Sequence, residues 1–381
     1  MVRKTIVSVL LILFISFHIC IAVRFAVVSY NVTISEPDVS AFYYAANVVL
    51  DPNIPNAAAY NSDTMYQVSP GYGISLPPMP FVYSIASAYL MSPLTLIPYN
   101  VAKLVWSNLS LLMYITAVTI VLYIGGTTSI KRMIYLALLL VWLPFVYSQF
   151  WLQSNALLIL LIALATLSAV KKRPAIAGIF IGIASLFKIF PLALAVLLGL
   201  RNWRIFIACA VLFSASFLIP GSTEWFSAIQ KIHIYGISKI NINPPTNFWL
   251  NQLGPILFVV FAAMISGMTA LVIFLNKAAD YPALVSLAIP SAFLISPLVD
   301  YHHLTMLALS YSYILSRAEN LPRWFLAASA ISFLFVNAAV LYYPFVNPVS
   351  LVVMSGVLLI WVSFCILLLP KSNYAVLMKN K

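Results

Sequence analysis

The chain has 381 residues, of which 63% are apolar and only 7% are Asp, Glu, Lys or Arg. Ordinary soluble domains carry about 25% charged residues, so this chain could not dress a soluble surface. Disordered, collagen-like, coiled-coil and disulfide-scaffold classes are excluded by the same figures, and a mean hydropathy of +1.03 leaves a helical membrane protein. The apolar runs are continuous rather than alternating, which argues against a β-barrel.

The runs occur at roughly 5–28, 101–123, 132–147, 150–170, 204–220, 254–276, 282–299, 303–316, 323–342 and 349–369. The first follows Arg3 and Lys4 and has no small-residue cleavage site after it, so it is read as a retained helix rather than a signal peptide. Two further stretches, 77–98 and 174–200, are interrupted by proline and are too long for one tidy helix.

The net charge of +12 does not indicate nucleic acid, because the basic residues sit in small clusters between apolar runs. Placing Arg3/Lys4, Lys131/Arg132, Lys171/Lys172/Arg173, Arg201/Arg204, Lys277, Arg317/Arg323 and Lys371/Lys379/Lys381 in the cytoplasm puts 15 of the 20 basic residues inside. Arg24, Lys103, Lys188, Lys231 and Lys239 remain. Both 77–98 and 174–200 must then begin and end on one side, as hairpins or re-entrant segments. Irregular backbone at that depth is tolerated only where it is buried in protein or lines a cavity.

The expected architecture is all-α: a polytopic helical membrane protein with about 11–14 passes. One integral domain covers 1–370, with extracytoplasmic loops at 29–76 and 221–253 and a cytoplasmic tail at 371–381. Cys20, Cys209 and Cys365 all lie in apolar segments and suggest neither disulfides nor a metal site.

Candidate chemistry gathers at the outer ends of these runs. Asp38, in Ser35-Glu36-Pro37-Asp38, is either an acid at the mouth of a cavity, part of a solvated loop, or a cap for a helix starting near Val39. Lys188, in Ser185-Leu186-Phe187-Lys188-Ile189-Phe190-Pro191, either meets an anion at a hairpin tip or snorkels to the interface. His302 and His303 offer proton handling or phosphate contact, with interfacial anchoring as the alternative. Gln149, Gln153 and Asn155 form a polar collar that could bond sugar hydroxyls or neighbouring helices. The loop aromatics Phe42, Tyr43, Tyr44, Tyr60, Tyr66 and Tyr72 suit sugar stacking or an interface belt.

The order of these motifs along the chain resembles the polyprenyl-phosphate-sugar-dependent glycosyltransferases of the GT-C superfamily, and within it the DUF2029 or glycosyltransferase family 87 group of integral membrane α-mannosyltransferases. The motifs are Asp38 followed by Phe42-Tyr43-Tyr44-Ala45-Ala46, then Tyr60, Pro77-Pro78, Trp106 and Gln153-Ser154-Asn155. Ala177-Gly178 through Gly182 to Lys188 and Pro191 follow, then Ser296-Pro297 with His302-His303. Leu152 stands where the family usually has Gly, and Leu76-Pro77-Pro78 replaces Tyr-Pro-Pro.

The resemblance implies an inverting transfer of a hexose, mannose first, from a polyprenyl- or dolichyl-phosphate donor to a lipid-linked or surface glycan hydroxyl, on the extracytoplasmic side of the cell membrane. Both termini would be cytoplasmic. Asp38 would be the catalytic base. Lys188, His302 and His303 would hold the donor phosphate, and Gln153, Asn155, Tyr43, Tyr44 and Tyr60 the sugar or acceptor. No cofactor and no nucleic acid are expected; the partners are the lipid-linked donor, the glycan acceptor and membrane lipid, with a divalent metal left open. The alternative function is a secondary transporter or lipid flippase, which shares broken helices and an intramembrane lysine.

Overall fold

The computed structural model describes residues 36–75, 78–230, 245–277, 279–296, 299, 301–341 and 346–369. The expected first helix at 5–28, Pro77, Pro297, Asp300, Lys231, Lys239 and the tail 371–381 lie outside these residues. Within them the chain is wholly helical, with no strand.

The segment read as a first loop is itself folded. It holds α1 (Val39–Leu50), a 3-10 turn at Asn56–Tyr60 and α2 (Ser62–Val68). Ten of the twelve residues of α1 are buried, which removes it from the solvent that a loop would occupy. After α3 (Ile85–Met91) comes α4 (Tyr99–Ile124), long enough at 26 residues to cross a bilayer. The run at 132–147 is broken, because Pro144 opens a new helix: α5 (Ser129–Leu140) and α6 (Leu143–Phe150) meet at 58°.

Next come α7 (Asn155–Val170), α8 (Pro174–Phe187), α9 (Pro191–Gly199) and α10 (Trp203–Ala215). The helix α11 (Pro245–Leu275) has non-helical backbone at Gly254, with φ +72°, and its apolar part Gly254–Leu275 is a second candidate span. The remaining helices are α12 (Tyr281–Ile295), a 3-10 turn at Tyr301–Met306, α13 (Leu307–Arg317), α14 (Arg323–Leu341) and α15 (Val346–Leu368). Leu351–Leu368 is the third helix long and apolar enough to cross a membrane. Several other apolar helices among the described residues are shorter, 10–17 residues. This is a polytopic helical membrane protein.

The direction of the chain around Lys188 can be read from its glycines. A Cβ on Gly178 would lie 2.3 Å from the Ile205 carbonyl oxygen and 2.8 Å from Ala208 Cβ. One turn further, a Cβ on Gly182 would lie 3.3 Å from Cys209 and Leu212. Contacts rise together in number, so α8 and α10 run parallel, with α9 returning between them. Lys171–Arg173 and Arg201/Arg204 are therefore at one end of the bundle and Lys188 at the other. The basic end is tied across helices. Lys131 pairs with Glu319, the Arg201 guanidinium donates to the Lys277 carbonyl, and Arg317 lies 3.4 Å from Asp280.

Candidate active site

Helices α7 and α8 form a hairpin closed at Lys172, which adopts φ +58°. Their lengths are nearly matched, 16 and 14 residues, so the first residue of α7 stands beside the residue that follows α8. Those residues are Asn155 and Lys188. The Lys188 ammonium donates to Asn155 Oδ1 at 3.0 Å and, more weakly, to Gln153 Oε1 at 3.4 Å. The ammonium thus points inward to amides rather than out to the interface.

Asn155 is the hub. It is fully buried, and its Nδ2 donates to the His302 carbonyl at 3.0 Å and to Ser148 Oγ at 3.1 Å. Thr305 Oγ1 donates to the same His302 carbonyl at 2.6 Å and to the Pro144 carbonyl at 2.9 Å, which fixes the 3-10 turn that carries the histidines. The two imidazoles lie edge to face at 4.3 Å, His302 stacks on Tyr147 at 6.3 Å, and His303 lies 6.2 Å from Phe190. Lys188 is within Coulombic reach of both histidines. Lys188, Gln153, Asn155, His302 and His303 are therefore one cluster.

Asp38 reaches this cluster through the backbone. Its N–H donates to the Trp151 carbonyl at 3.0 Å, in the turn that leads to Gln153. Phe42, one helical turn after Asp38, packs its ring 5.6 Å from Phe187, the neighbour of Lys188. Asp38 is 6% exposed, and its carboxylate makes no capping bond to α1, so the capping alternative does not describe it.

The Trp151–Ser154 turn is pinned from α4. Trp106 Nε1 donates to the Leu152 carbonyl at 3.0 Å, and Gln149 Nε2 donates to the Ser107 carbonyl at 2.6 Å. Gln149 is thus a brace. Leu152 itself sits at φ +48°, a left-handed conformation that costs a side-chain-bearing residue about 1 kcal/mol.

The three tyrosines have other partners. Tyr43 donates to the Ile97 carbonyl at 2.8 Å, Tyr44 to the Ala58 carbonyl at 3.0 Å and Tyr60 to the Tyr83 carbonyl at 2.7 Å. Burial pushes the Tyr60 phenol above its usual range, which keeps it a neutral donor. These hydroxyls satisfy backbone carbonyls and hold the 36–98 segment together.

Sequence reasoning missed the partner of Lys103. Glu36 is 4% exposed and accepts from Tyr99 Oη at 3.0 Å and Lys103 Nζ at 3.2 Å. Lys103 was among the basic residues that the topology left over, and Glu36 was the acid beside Asp38. That coincidence was the available signal. Among the described residues, no three His, Cys, Asp or Glu side chains gather as a metal site requires.

A family-wide sequence profile described as glycosyltransferase family 87 matches residues 81–297, more than half of the chain. The chain belongs to glycosyltransferase family 87. It is a glycosyltransferase, which favours an enzyme over the transporter or flippase alternative. The matched stretch of this family 87 protein contains Trp106, Gln153, Asn155 and Lys188; Asp38 and the histidine pair lie beyond it. Searches of curated proteins and of solved structures gave no match.

Proposed function

We propose that this family 87 member transfers a hexose, mannose, from a polyprenyl-phosphate donor to a hydroxyl of a glycan or glycolipid, inverting the anomeric centre. The reaction is assigned to the extracytoplasmic side of the cell membrane, opposite the basic end, with both termini cytoplasmic. The observation that carries the reading is the convergence of Lys188, its two amide partners and the histidine pair in one cluster, with Asp38 tied by its backbone to the same turn.

In this reading Asp38 takes the proton of the acceptor hydroxyl as that oxygen attacks the sugar. The bond from sugar to phosphate breaks through an oxocarbenium-like state, and the departing phosphate gains negative charge opposite Lys188. Gln153 and Asn155 orient the ammonium and the sugar hydroxyls. His302 and His303 border the phosphate. An apolar groove of about 390 Å³, lined by Leu186, two residues before Lys188, as well as Ala86, Leu90 and Leu212, suits a prenyl chain.

The test is direct. Purified protein in lipid nanodiscs receives polyprenyl-phosphate-mannose and a lipid-linked glycan, and the product's anomeric configuration is read by NMR. Transfer with inversion is expected. Retention, or transfer only from a sugar nucleotide, sinks the proposal.

A further inference from the structure

Ser154 stands between Gln153 and Asn155, the two residues whose amide oxygens receive Lys188. It is the N-cap residue of α7, a helix of 16 residues, yet its side chain makes no capping bond. Its hydroxyl is fully buried and has no hydrogen-bond partner among the described residues. Elsewhere in this chain the N-cap residues Asn61, Asn202 and Asp280 do accept first-turn amides. A serine at an N-cap normally does the same, and a buried hydroxyl left unpaired is destabilising.

The surroundings say what would pair with it. The first-turn N–H groups of a helix have no intrahelical acceptor and carry its positive end. The Lys188 ammonium is held by Gln153 and Asn155, the residues on either side of Ser154. A helix N-terminus, a hydroxyl donor and a cation together favour an anion with several acceptor oxygens. We infer that Ser154 and the N-terminus of α7 complete, with Lys188, a cradle for the phosphate of the polyprenyl donor and of the polyprenyl phosphate left after transfer. The inference rests on the proposed use of a lipid-phosphate donor and adds to it a residue and a helix end that the motif reading left unused.

The test compares wild type, Ser154→Ala and Lys188→Gln in nanodiscs, titrated with polyprenyl phosphate and, separately, with inorganic phosphate. Because the hydroxyl has no partner to lose, Ser154→Ala should melt no lower than wild type without ligand. Its Kd for polyprenyl phosphate should rise about tenfold, the scale of one hydrogen bond to a charged group. A lower melting temperature without ligand, or an unchanged Kd, overturns the assignment of Ser154. Ser154→Cys, a similar shape with a much weaker donor, is the second variant, and the same rise in Kd is required of it. Lys188→Gln reports on the underlying reading: if it binds polyprenyl phosphate as wild type does, the lipid-phosphate site itself is misplaced. Should inorganic phosphate bind as tightly as the lipid, the cradle is a free-anion site and the lipid assignment falls.

Discussion

Replacing Lys188 with glutamine separates charge from reach. Glutamine is long and can still donate to Asn155 Oδ1, so the 3.0 Å hydrogen bond has a substitute while the positive charge is gone. Two unit charges about 4 Å apart attract by about 4 kcal/mol at an effective dielectric of ~20. Lys188 is only half-buried, and screening trims that to roughly 2–3 kcal/mol, or a factor of about 10² in kcat/KM. Lys188→Arg keeps the charge with a different geometry and should retain part of the activity. The assay is transfer from polyprenyl-phosphate-mannose over a range of donor concentrations, with thermal unfolding as the check on folding. Donor affinity should fall because the phosphate is charged before transfer, and turnover should fall because more charge develops as the sugar leaves. A folded Gln variant within about threefold of wild type in kcat/KM would refute the electrostatic reasoning.

The two neighbouring acids should behave differently. Asp38→Asn should cut turnover by ~10² or more with little change in melting temperature. Glu36→Gln should weaken a buried ion pair, lowering stability by about 1–2 kcal/mol while turnover per folded molecule holds. A deep loss of turnover in Glu36→Gln with no change in melting would reverse the two roles. In the α8–α10 contact, Gly178→Ala drives a methyl to 2.3 Å from a carbonyl oxygen and should cost about 1–3 kcal/mol by overpacking. Gly182→Ala, at 3.3 Å, should cost clearly less, and equal melting temperatures for the two would contradict the parallel register.

Charge and apolar length carried much of this fold in the sequence. The return of the chain at Lys188 followed from basic clusters on either side of 174–200, and the glycine contacts of α8 and α10 have that geometry. The grouping of Gln153, Asn155 and Lys188 was visible as motifs, though not the hydrogen bonds that join them. Helix α1 was harder to see. Its twelve residues are too few for a span, and Pro37 and Pro52 at its borders read as loop punctuation. The hydrogen bonds of Tyr43, Tyr44 and Tyr60 were not legible either, because only the tertiary fold brings the Ile97, Ala58 and Tyr83 carbonyls to them. The Trp151–Ser154 turn was hidden inside an apolar stretch, and its one trace was Leu152 in a place where the family usually has glycine. The left-handed backbone found there is the conformation that glycine adopts without strain.

The matched hairpin of α7 and α8 also carries a consequence for depth under the proposed topology. At 1.5 Å per residue its 14- and 16-residue arms reach about 21–24 Å, whereas the hydrocarbon core of a bilayer is about 30 Å thick. On the proposed topology, with the Lys171–Arg173 turn held at the inner boundary by its charges, the ammonium of Lys188 would stop short of the outer boundary by about 6–9 Å. A donor headgroup that met it, as proposed, would have to sink below the plane of its neighbours, and an acceptor would have to descend to follow it. Water enters such a recess poorly, so the shortness of two helices would itself protect a lipid-linked sugar from hydrolysis.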